Sequence, residues 1–141
     1  MHTSTNQIRL CLGLQVKESE KEKGIKCLAG DFWGFPDGQD MLINGHTILY
    51  EIEEGQQHPC TNVLKYWPVL EENPDMKIIL IQWLVKKPKS KNRWQLAKFV
   101  ANKMLTVFPD RFQYIFLEFD SPDNNIRLEK LKLQIQSSLI S

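Results

Sequence analysis

The segment 76–85, MKIILIQWLV, is the most apolar stretch of the chain. It is far too short to cross a bilayer, because a spanning helix needs about 20 apolar residues. A strand with one solvated face alternates apolar and polar residues, whereas a strand covered on both faces is nearly continuously apolar. The segment therefore predicts the buried centre of a sheet that is flanked by helices.

The segments on either side of this strand alternate between strand and helix patterns. Residues 38–54, GQDMLINGHTILYEIEE, contain two β-rich runs around Asn44-Gly45, the strongest short-range signal for a two-residue hairpin turn. A helix is predicted at 58–73, with Pro68 kinking or splitting it. A second helix is predicted at 92–108 from the spacing of its apolar residues, which are Leu96, Phe99, Val100, Met104 and Val107. A strand at 111–119 and a helix at 124–139 complete the order.

This order predicts an α/β fold with three α/β/α layers around a central mixed sheet. The length of 141 residues suits a single domain, 1–141, with enough chain to bury a core. Residues 5–23 suit either a helix or a strand, because their apolar positions alternate before a charged run that ends at Gly24.

Composition excludes several classes of protein. Hydrophobic content of 42% and charged content of 25% are ordinary for a globular protein, and a net charge of +1 does not by itself indicate a nucleic-acid partner. Three widely spaced cysteines fit neither a disulfide framework nor a zinc ribbon, and no signal peptide is evident. We therefore expect a cytoplasmic protein with no membrane association.

The hairpin predicts which acidic side chains share a face of the sheet. If Asn44-Gly45 is the turn, Asp40 stands opposite Leu49, and opposed residues point to the same face. Glu51 and Glu53 follow Leu49 with a period of two, so Asp40, Glu51 and Glu53 are predicted on one face. Asp37 would stand opposite Ile52 and is predicted on the other face.

Three acids on one face favour a site for a divalent cation. Carboxylates gathered together repel one another unless a cation neutralises them, and Mg²⁺ or Mn²⁺ takes oxygen ligands of this kind. The alternative is a solvated face, since Glu51 and Glu53 alternate with Tyr50 and Ile52 as exposed residues would. A doubly covered sheet favours the cation site, because neither of its faces is free to solvate charge.

The hairpin carries an Asp on its first arm and the pattern acid-x-residue on its second arm, and a helix follows. This arrangement resembles the PD-(D/E)xK nuclease superfamily, whose members have the restriction-endonuclease-like fold. The resemblance covers roughly residues 25–85. Asp40 matches the first acid, Glu51 the second and Ile52 the spacer, whereas Glu53 stands where most members have Lys. The pair Pro36-Asp37 matches the first two letters of the motif. Asp37 is predicted on the face opposite to Glu51 and Glu53, however, so this match is interpreted as coincidental.

The helix after the hairpin offers a basic residue in place of that Lys. His58, Asn62 and Lys65 follow one another at i, i+4 and i+7, so they form one stripe of a helix. Lys65 is the candidate that assists catalysis electrostatically, and His58 and Asn62 are candidates for binding phosphate. The alternative is that His58 only caps the helix and Lys65 is an exposed helix lysine.

A basic segment follows the apolar strand. Residues 86–94, KKPKSKNRW, offer candidate phosphate-binding residues, which are Lys87, Lys89, Lys91 and Arg93. A lysine-rich loop is more often only solvated surface.

The resemblance implies a nuclease that hydrolyses phosphodiester bonds with Mg²⁺ or Mn²⁺, and DNA is favoured as its substrate. Asp40, Glu51 and Glu53 would bind the metal, with Lys65 assisting. Nucleases of this kind often pair to cut both strands, so a homodimer is one expectation. The competing hypothesis is a degenerate nuclease fold that binds nucleic acid or a protein partner without catalysis. A third is an unrelated α/β protein whose acids lie on its surface.

Overall fold

The computed structural model describes residues 4–17, 36–42, 45–54, 58–85 and 91–118, together with positions 129, 130, 132 and 133. Its elements in chain order are α1 (Ser4–Cys11), β1 (Gly38–Met41), β2 (His46–Glu53), α2 (Thr61–Leu64), α3 (Tyr66–Glu72), β3 (Lys77–Leu84), α4 (Lys91–Val107) and β4 (Phe112–Glu118). Positions 129, 130, 132 and 133 are helical and fall in the helix predicted at 124–139, the rest of which lies outside the described residues. Within the described residues, no helix is both long enough and apolar enough to cross a bilayer.

The strands form one mixed sheet in the order β1-β2-β3-β4, which confirms the α/β class. β1 pairs with β2 antiparallel, whereas β2, β3 and β4 run parallel. The apolar segment becomes β3, which lies between two strands and is buried at every position from Ile78 to Leu84. Its prediction as a buried central strand is confirmed.

Helices contribute to the cores on both faces of this sheet. On one face, α2, α3 and α4 pack over Leu49, Ile78, Leu80 and Phe112. On the other face, Ile8 of α1 packs against residues of three strands, which are Ile48, Tyr50, Ile79, Ile81, Trp83 and Ile115. α1 is followed by Gly13 at a φ of +74°, a left-handed conformation that suits glycine at a helix end. Of the two possibilities for residues 5–23, the helix is therefore correct up to Cys11.

The hairpin is confirmed, but its predicted register is wrong by one residue. Met41 pairs with Thr47 and Asp40 with Ile48, whereas a two-residue turn would pair Asp40 with Leu49. Leu42 N donates to His46 O at 2.8 Å, so three residues connect the strands, and the last of them, Gly45, has a φ of +89°. Three-residue loops with a left-handed residue are the next commonest hairpin connection. A one-residue shift moves every side chain of β1 to the opposite face.

The helix predicted at 58–73 is divided into two. The break falls at Lys65, between α2 and α3. Pro68 lies three residues later and has no N–H to donate to the carbonyl of Leu64, which interrupts the helical hydrogen bonds at this point.

The helix predicted at 92–108 is confirmed as α4, but most of the apolar residues whose spacing predicted it lie outside its buried face. Trp94, Ala97, Ala101, Met104 and Phe108 are buried. Of the residues that predicted the helix, Met104 is buried and Val100 is partly buried, while Leu96, Phe99 and Val107 are exposed by about half. Two apolar stripes at helical spacing run along this helix, and packing against the sheet selected the one that contains the small alanines.

Candidate active site

Two glutamates of β2 are the centre of the candidate site. Glu51 and Glu53 share a face with Leu49, which packs beneath α2 and α3. Glu51 is 2% exposed and Glu53 is 0% exposed. Charged side chains are this deeply buried only where partners compensate the loss of hydration. The solvated-face alternative is therefore wrong for both residues.

Asp37, not Asp40, is the third carboxylate of the site. Asp37 Oδ2 accepts a hydrogen bond from Ile52 N at 2.7 Å, and Asp37 N donates to Tyr50 O at 2.9 Å. These bonds hold Asp37 beside the second half of β2. Asp37 interacts electrostatically with both Glu51 and Glu53.

Asp40 lies on the opposite face, in a network that connects α1 to the sheet. Its Oδ2 accepts hydrogen bonds from Arg9 Nε at 2.8 Å and from Tyr50 Oη at 2.7 Å. Lys17 Nζ lies 3.4 Å from its Oδ1. Arg9 is 1% exposed and also donates to Asn6 Oδ1. The predicted grouping of Asp40 with Glu51 and Glu53 is therefore wrong, because the register places it on the other face.

Lys65 is buried against Glu51. Its Nζ donates to Glu51 Oε1 at 2.7 Å and to Oε2 at 3.1 Å, and Tyr66 Oη donates to the same Oε2 at 3.3 Å. Lys65 is only 7% exposed, so the alternative that it is an exposed helix lysine is wrong. The break between α2 and α3 falls at this residue.

The two carboxylate oxygens of Glu53 differ in their hydrogen bonds. Its Oε1 accepts from Asn62 Nδ2 at 2.7 Å and from Gln82 Nε2 at 3.2 Å. Its Oε2 is buried and accepts no hydrogen bond from the part of the chain that the structure describes. A buried carboxylate oxygen in this state is costly in free energy unless a proton or a cation occupies it.

Gln82 is oriented by three contacts. Its Nε2 donates to Glu53 Oε1 and to Pro59 O, while its Oε1 accepts from Tyr114 Oη. Because the Pro59 carbonyl can only accept, Nε2 must face it, and the same nitrogen donates to Glu53 while Tyr114 donates to Oε1.

Burial dominates the titration of the three acids. It raises the pKa of Glu51 from 4.5 to about 8, although the charge of Lys65 opposes the change. Burial also raises the pKa of Glu53, opposed by the hydrogen bonds from Asn62 and Gln82, and it raises the pKa of Asp37. The site therefore binds protons more strongly than ordinary carboxyl groups do, and a cation would compete with those protons.

The other predicted residues divide into three groups. Asn62 reaches the site, as its position on the Lys65 stripe predicted. His58 is exposed before α2, where its carbonyl accepts from Thr61 N, and the described contacts include none between its side chain and the acids. Arg93 is exposed on the first turn of α4, Lys91 opens that helix, and Lys87 and Lys89 lie outside the described residues.

Sequence reasoning missed Asp37, Gln82 and Tyr114. The pair Pro36-Asp37 carried the signal for the first, but the assumed two-residue turn assigned it to the wrong face. Gln82 is the one polar residue within the apolar run 78–85, and a polar residue there needs a buried partner. Tyr114 gave no such signal, because alternating aromatics are usual in strands.

The donor set suits a hard cation. Asp37, Glu51 and Glu53 offer carboxylate oxygens, and Glu53 Oε2 is buried with no hydrogen bond from the residues in the described ranges. Among the residues that the structure describes, no three His, Cys, Asp or Glu side chains already form a ready metal-binding group. Mg²⁺ often uses only one or two carboxylates and completes its shell with water and substrate phosphate.

Comparisons of the chain with protein-family models, with curated proteins and with solved structures found no match. The geometry of these buried acids is therefore the basis for assigning a function.

Proposed function

We propose that this protein is a nuclease that hydrolyses phosphodiester bonds of nucleic acid with Mg²⁺ or Mn²⁺, with DNA as the favoured substrate. The observation that supports it is the convergence of Asp37, Glu51 and Glu53 with one buried lysine, Lys65, at the end of a sheet strand. Carboxylates on a hairpin followed by a helix agree with the resemblance to the PD-(D/E)xK superfamily. In this motif a lysine usually stands at the position that Glu53 occupies here, and Lys65 would take over its role.

Asp37 and Glu51 would hold the cation, with Glu53 beside them. Their raised pKa values mean that burial disfavours the charged carboxylates, and a divalent cation would relieve that penalty. When bound, Mg²⁺ would lower the pKa of a water molecule and stabilise negative charge on the phosphate.

Lys65 and Glu53 would supply the rest of the chemistry. The Lys65 ammonium carries donors that can face the phosphate oxygens as their charge increases. Glu53 Oε2 accepts no hydrogen bond from the described residues, and burial raises the pKa of this carboxyl group, so it is suited to accept the proton of the attacking water. The water oxygen bonds to phosphorus, the P–O bond to the leaving nucleoside breaks, and the leaving oxygen takes a proton from solvent.

The closed hydrogen-bonded contact between Lys65 and Glu51 favours a second candidate. If this pair never opens, Glu51 cannot ligate a cation, and the protein is a non-catalytic module that binds nucleic acid or a protein partner. Binding of Mn²⁺ separates the two functions, because only the nuclease requires it.

The test combines cleavage with direct metal binding. Labelled duplex DNA, single-stranded DNA and RNA are incubated with the protein and Mg²⁺ or Mn²⁺, and Mn²⁺ affinity is measured by calorimetry. We expect cleavage of at least one substrate that EDTA abolishes, and Mn²⁺ binding that Glu51→Gln removes. Absence of both cleavage and Mn²⁺ binding would overturn the nuclease proposal.

Asp37 and Asp40 provide a matched pair of variants. Asp37→Asn should abolish Mn²⁺ binding and cleavage while the protein stays folded. Asp40→Asn should lower stability but retain both properties in the folded fraction, which circular dichroism measures. Equal loss of Mn²⁺ binding in the two folded variants would contradict the assignment of Asp37 to the site.

A further inference from the structure

We propose that the ring of Phe116, together with Lys98, forms a subsite for one unpaired nucleotide, so that the substrate is a single-stranded nucleic acid. The inference rests on the proposed nuclease function and specifies its substrate class. It concerns residues of β4 and α4 that have no part in the acid cluster.

The strand register places Phe116 in line with the acids. Glu51 pairs with Gln82, and Gln82 pairs with Phe116, so these three residues form one row across parallel strands and face the same side. Neighbouring strands lie about 4.8 Å apart, which puts the backbone of Phe116 roughly 10 Å from that of Glu51. In a duplex each strand covers this distance in about three nucleotides at 3.4 Å each, and an unpaired strand that is extended covers it in fewer.

One face of the Phe116 ring lies under an exposed lysine. Lys98 Nζ lies 4.3 Å from the ring centroid, and Lys98 itself is exposed. The Phe116 side chain is partly exposed as well. Movement of the flexible Lys98 side chain would uncover the ring on this side.

The ring is supported by other aromatic side chains. The centroid of Trp94 lies 5.8 Å from that of Phe116 at an interplanar angle of 54°, and Trp94 is only 5% exposed. The Tyr114 ring lies 6.4 Å away, and its hydroxyl is bound to Gln82. This packing gives Phe116 a rigid setting that is connected to the acid cluster through Gln82.

An aromatic face with an adjacent ammonium matches the chemistry of a nucleotide. Every nucleobase can stack on an aromatic ring, whatever its sequence, and the neighbouring phosphate attracts a lysine. Lys98 would leave the ring for the phosphate, because its attraction to a neutral ring is weak at an exposed site. The bases of an intact duplex are stacked on one another and cannot reach the ring, so this subsite selects unpaired strands.

The same helix carries a control for this pair. Lys103 Nζ lies 5.4 Å from the centroid of Phe99, another cation above an aromatic ring. Phe99 is 57% exposed and belongs to neither core cluster. Substitutions there change a similar pair without touching the row of β2, β3 and β4.

The experiment measures binding without cleavage. Fluorescence anisotropy in EDTA compares a labelled 15-nucleotide single strand with the corresponding blunt duplex, for the wild type and for Phe116→Leu, Phe116→Ala, Lys98→Ala, Phe99→Leu and Lys103→Ala. We expect the single strand to bind more tightly than the duplex. Phe116→Ala should weaken single-strand binding roughly 10- to 100-fold, the range that a lost stacking contact gives.

Phe116→Leu separates stacking from folding, because leucine retains apolar volume but has no ring. It should also weaken binding, whereas Phe99→Leu should not. Lys98→Ala should reduce the slope of the logarithm of the binding constant against the logarithm of the salt concentration by about 1, the value for one lost phosphate contact. Lys103→Ala should leave this slope unchanged.

Wild-type affinity in Phe116→Leu, or duplex binding as tight as single-strand binding, would overturn the subsite. Cleavage that persists with wild-type efficiency in Phe116→Leu would overturn the subsite and leave the nuclease proposal intact. Single-strand binding that depends on Phe116, in a protein that never cleaves with Mn²⁺, would support the subsite and refute the nuclease proposal.

Discussion

The cation-free protein should become less stable as the pH rises from 6.5 to 8, with Glu51 as the main cause. Burial raises the pKa of this carboxyl group from 4.5 in its ordinary state to about 8 in the folded protein. Between these two values the unfolded chain has lost the proton, while the native protein keeps it. A raised folded pKa thus adds stability that is complete below pH 4.5 and is lost progressively as the pH rises toward 8.

The size of the effect follows from the pKa difference. Each pH unit between the two pKa values changes the free energy of unfolding by about 1.4 kcal/mol, and the slope flattens near pH 8. From pH 6.5 to 8 the loss is therefore about 2 kcal/mol, or several degrees in Tm for a chain of this size. Burial raises the pKa of Asp37 and Glu53 as well, so both change stability in the same direction.

The window starts at pH 6.5 because His46 acts in the opposite direction below it. Burial lowers the pKa of His46 from 6.5, so its contribution to stability is lost as the pH falls. At pH 6.5 half of the His46 side chains are already neutral in the unfolded chain, so the remaining effect of this residue above pH 6.5 is less than about 0.5 kcal/mol.

Urea unfolding in EDTA, followed by tryptophan fluorescence at four pH values, measures the effect. Glu51→Gln is the matched variant, since it keeps the shape of the side chain and removes the titrating group, and its stability should fall less over the window than that of the wild type. Mg²⁺ should stabilise the wild type more at pH 8 than at pH 6.5, because it competes with protons for the same oxygens. Stability that is constant or rises with pH in the wild type, or an equal slope in Glu51→Gln, would refute this reasoning.

Two further predictions concern the networks around the site. Arg9→Met should lower the free energy of unfolding by about 3 kcal/mol, because Asp40 loses its buried cationic partner. Lys17→Ala, at an exposed contact with the same carboxylate, should change it by less than about 1 kcal/mol. Similar urea midpoints for these two variants would contradict the role of Arg9. Tyr114→Phe removes the donor that orients Gln82, so calorimetry should show Mn²⁺ binding weakened about 10-fold, the lower end of the effect of such supporting residues. Unchanged Mn²⁺ affinity in Tyr114→Phe would mean that Glu53 is held without this hydroxyl.

Local patterns predicted most of the elements and part of the site. The apolar run 76–85 predicted a buried central strand, and β3 is one. The period of two in β2 put Glu51 and Glu53 on one face, and the helical spacing of Asn62 and Lys65 placed both side chains within reach of these glutamates. Such periodicities depend only on backbone geometry within one element, which is why they can be read without knowledge of the fold.

Tertiary structure decided the features that depend on how elements meet. Asn44-Gly45 indicates a hairpin but does not determine whether its loop holds two or three residues. The third loop residue shifts the register, so that Asp37 and not Asp40 lies with Glu51 and Glu53. In α4 both apolar stripes have helical spacing, and only packing against the sheet determined that Trp94 would be buried and Phe99 exposed.

The sequence by itself determined the α/β class, the buried central strand and the pairing of two glutamates with a lysine on the following helix, because each follows from the repeat of a single element. Only the tertiary structure decided that Asp37 completes the acid cluster, that Gln82 and Tyr114 hold Glu53, and that Phe116 stands in the same row as Glu51. These depend on strand register and on long-range contacts. Register changes by whole residues, so a difference of one residue in a loop places the opposite set of side chains in the site.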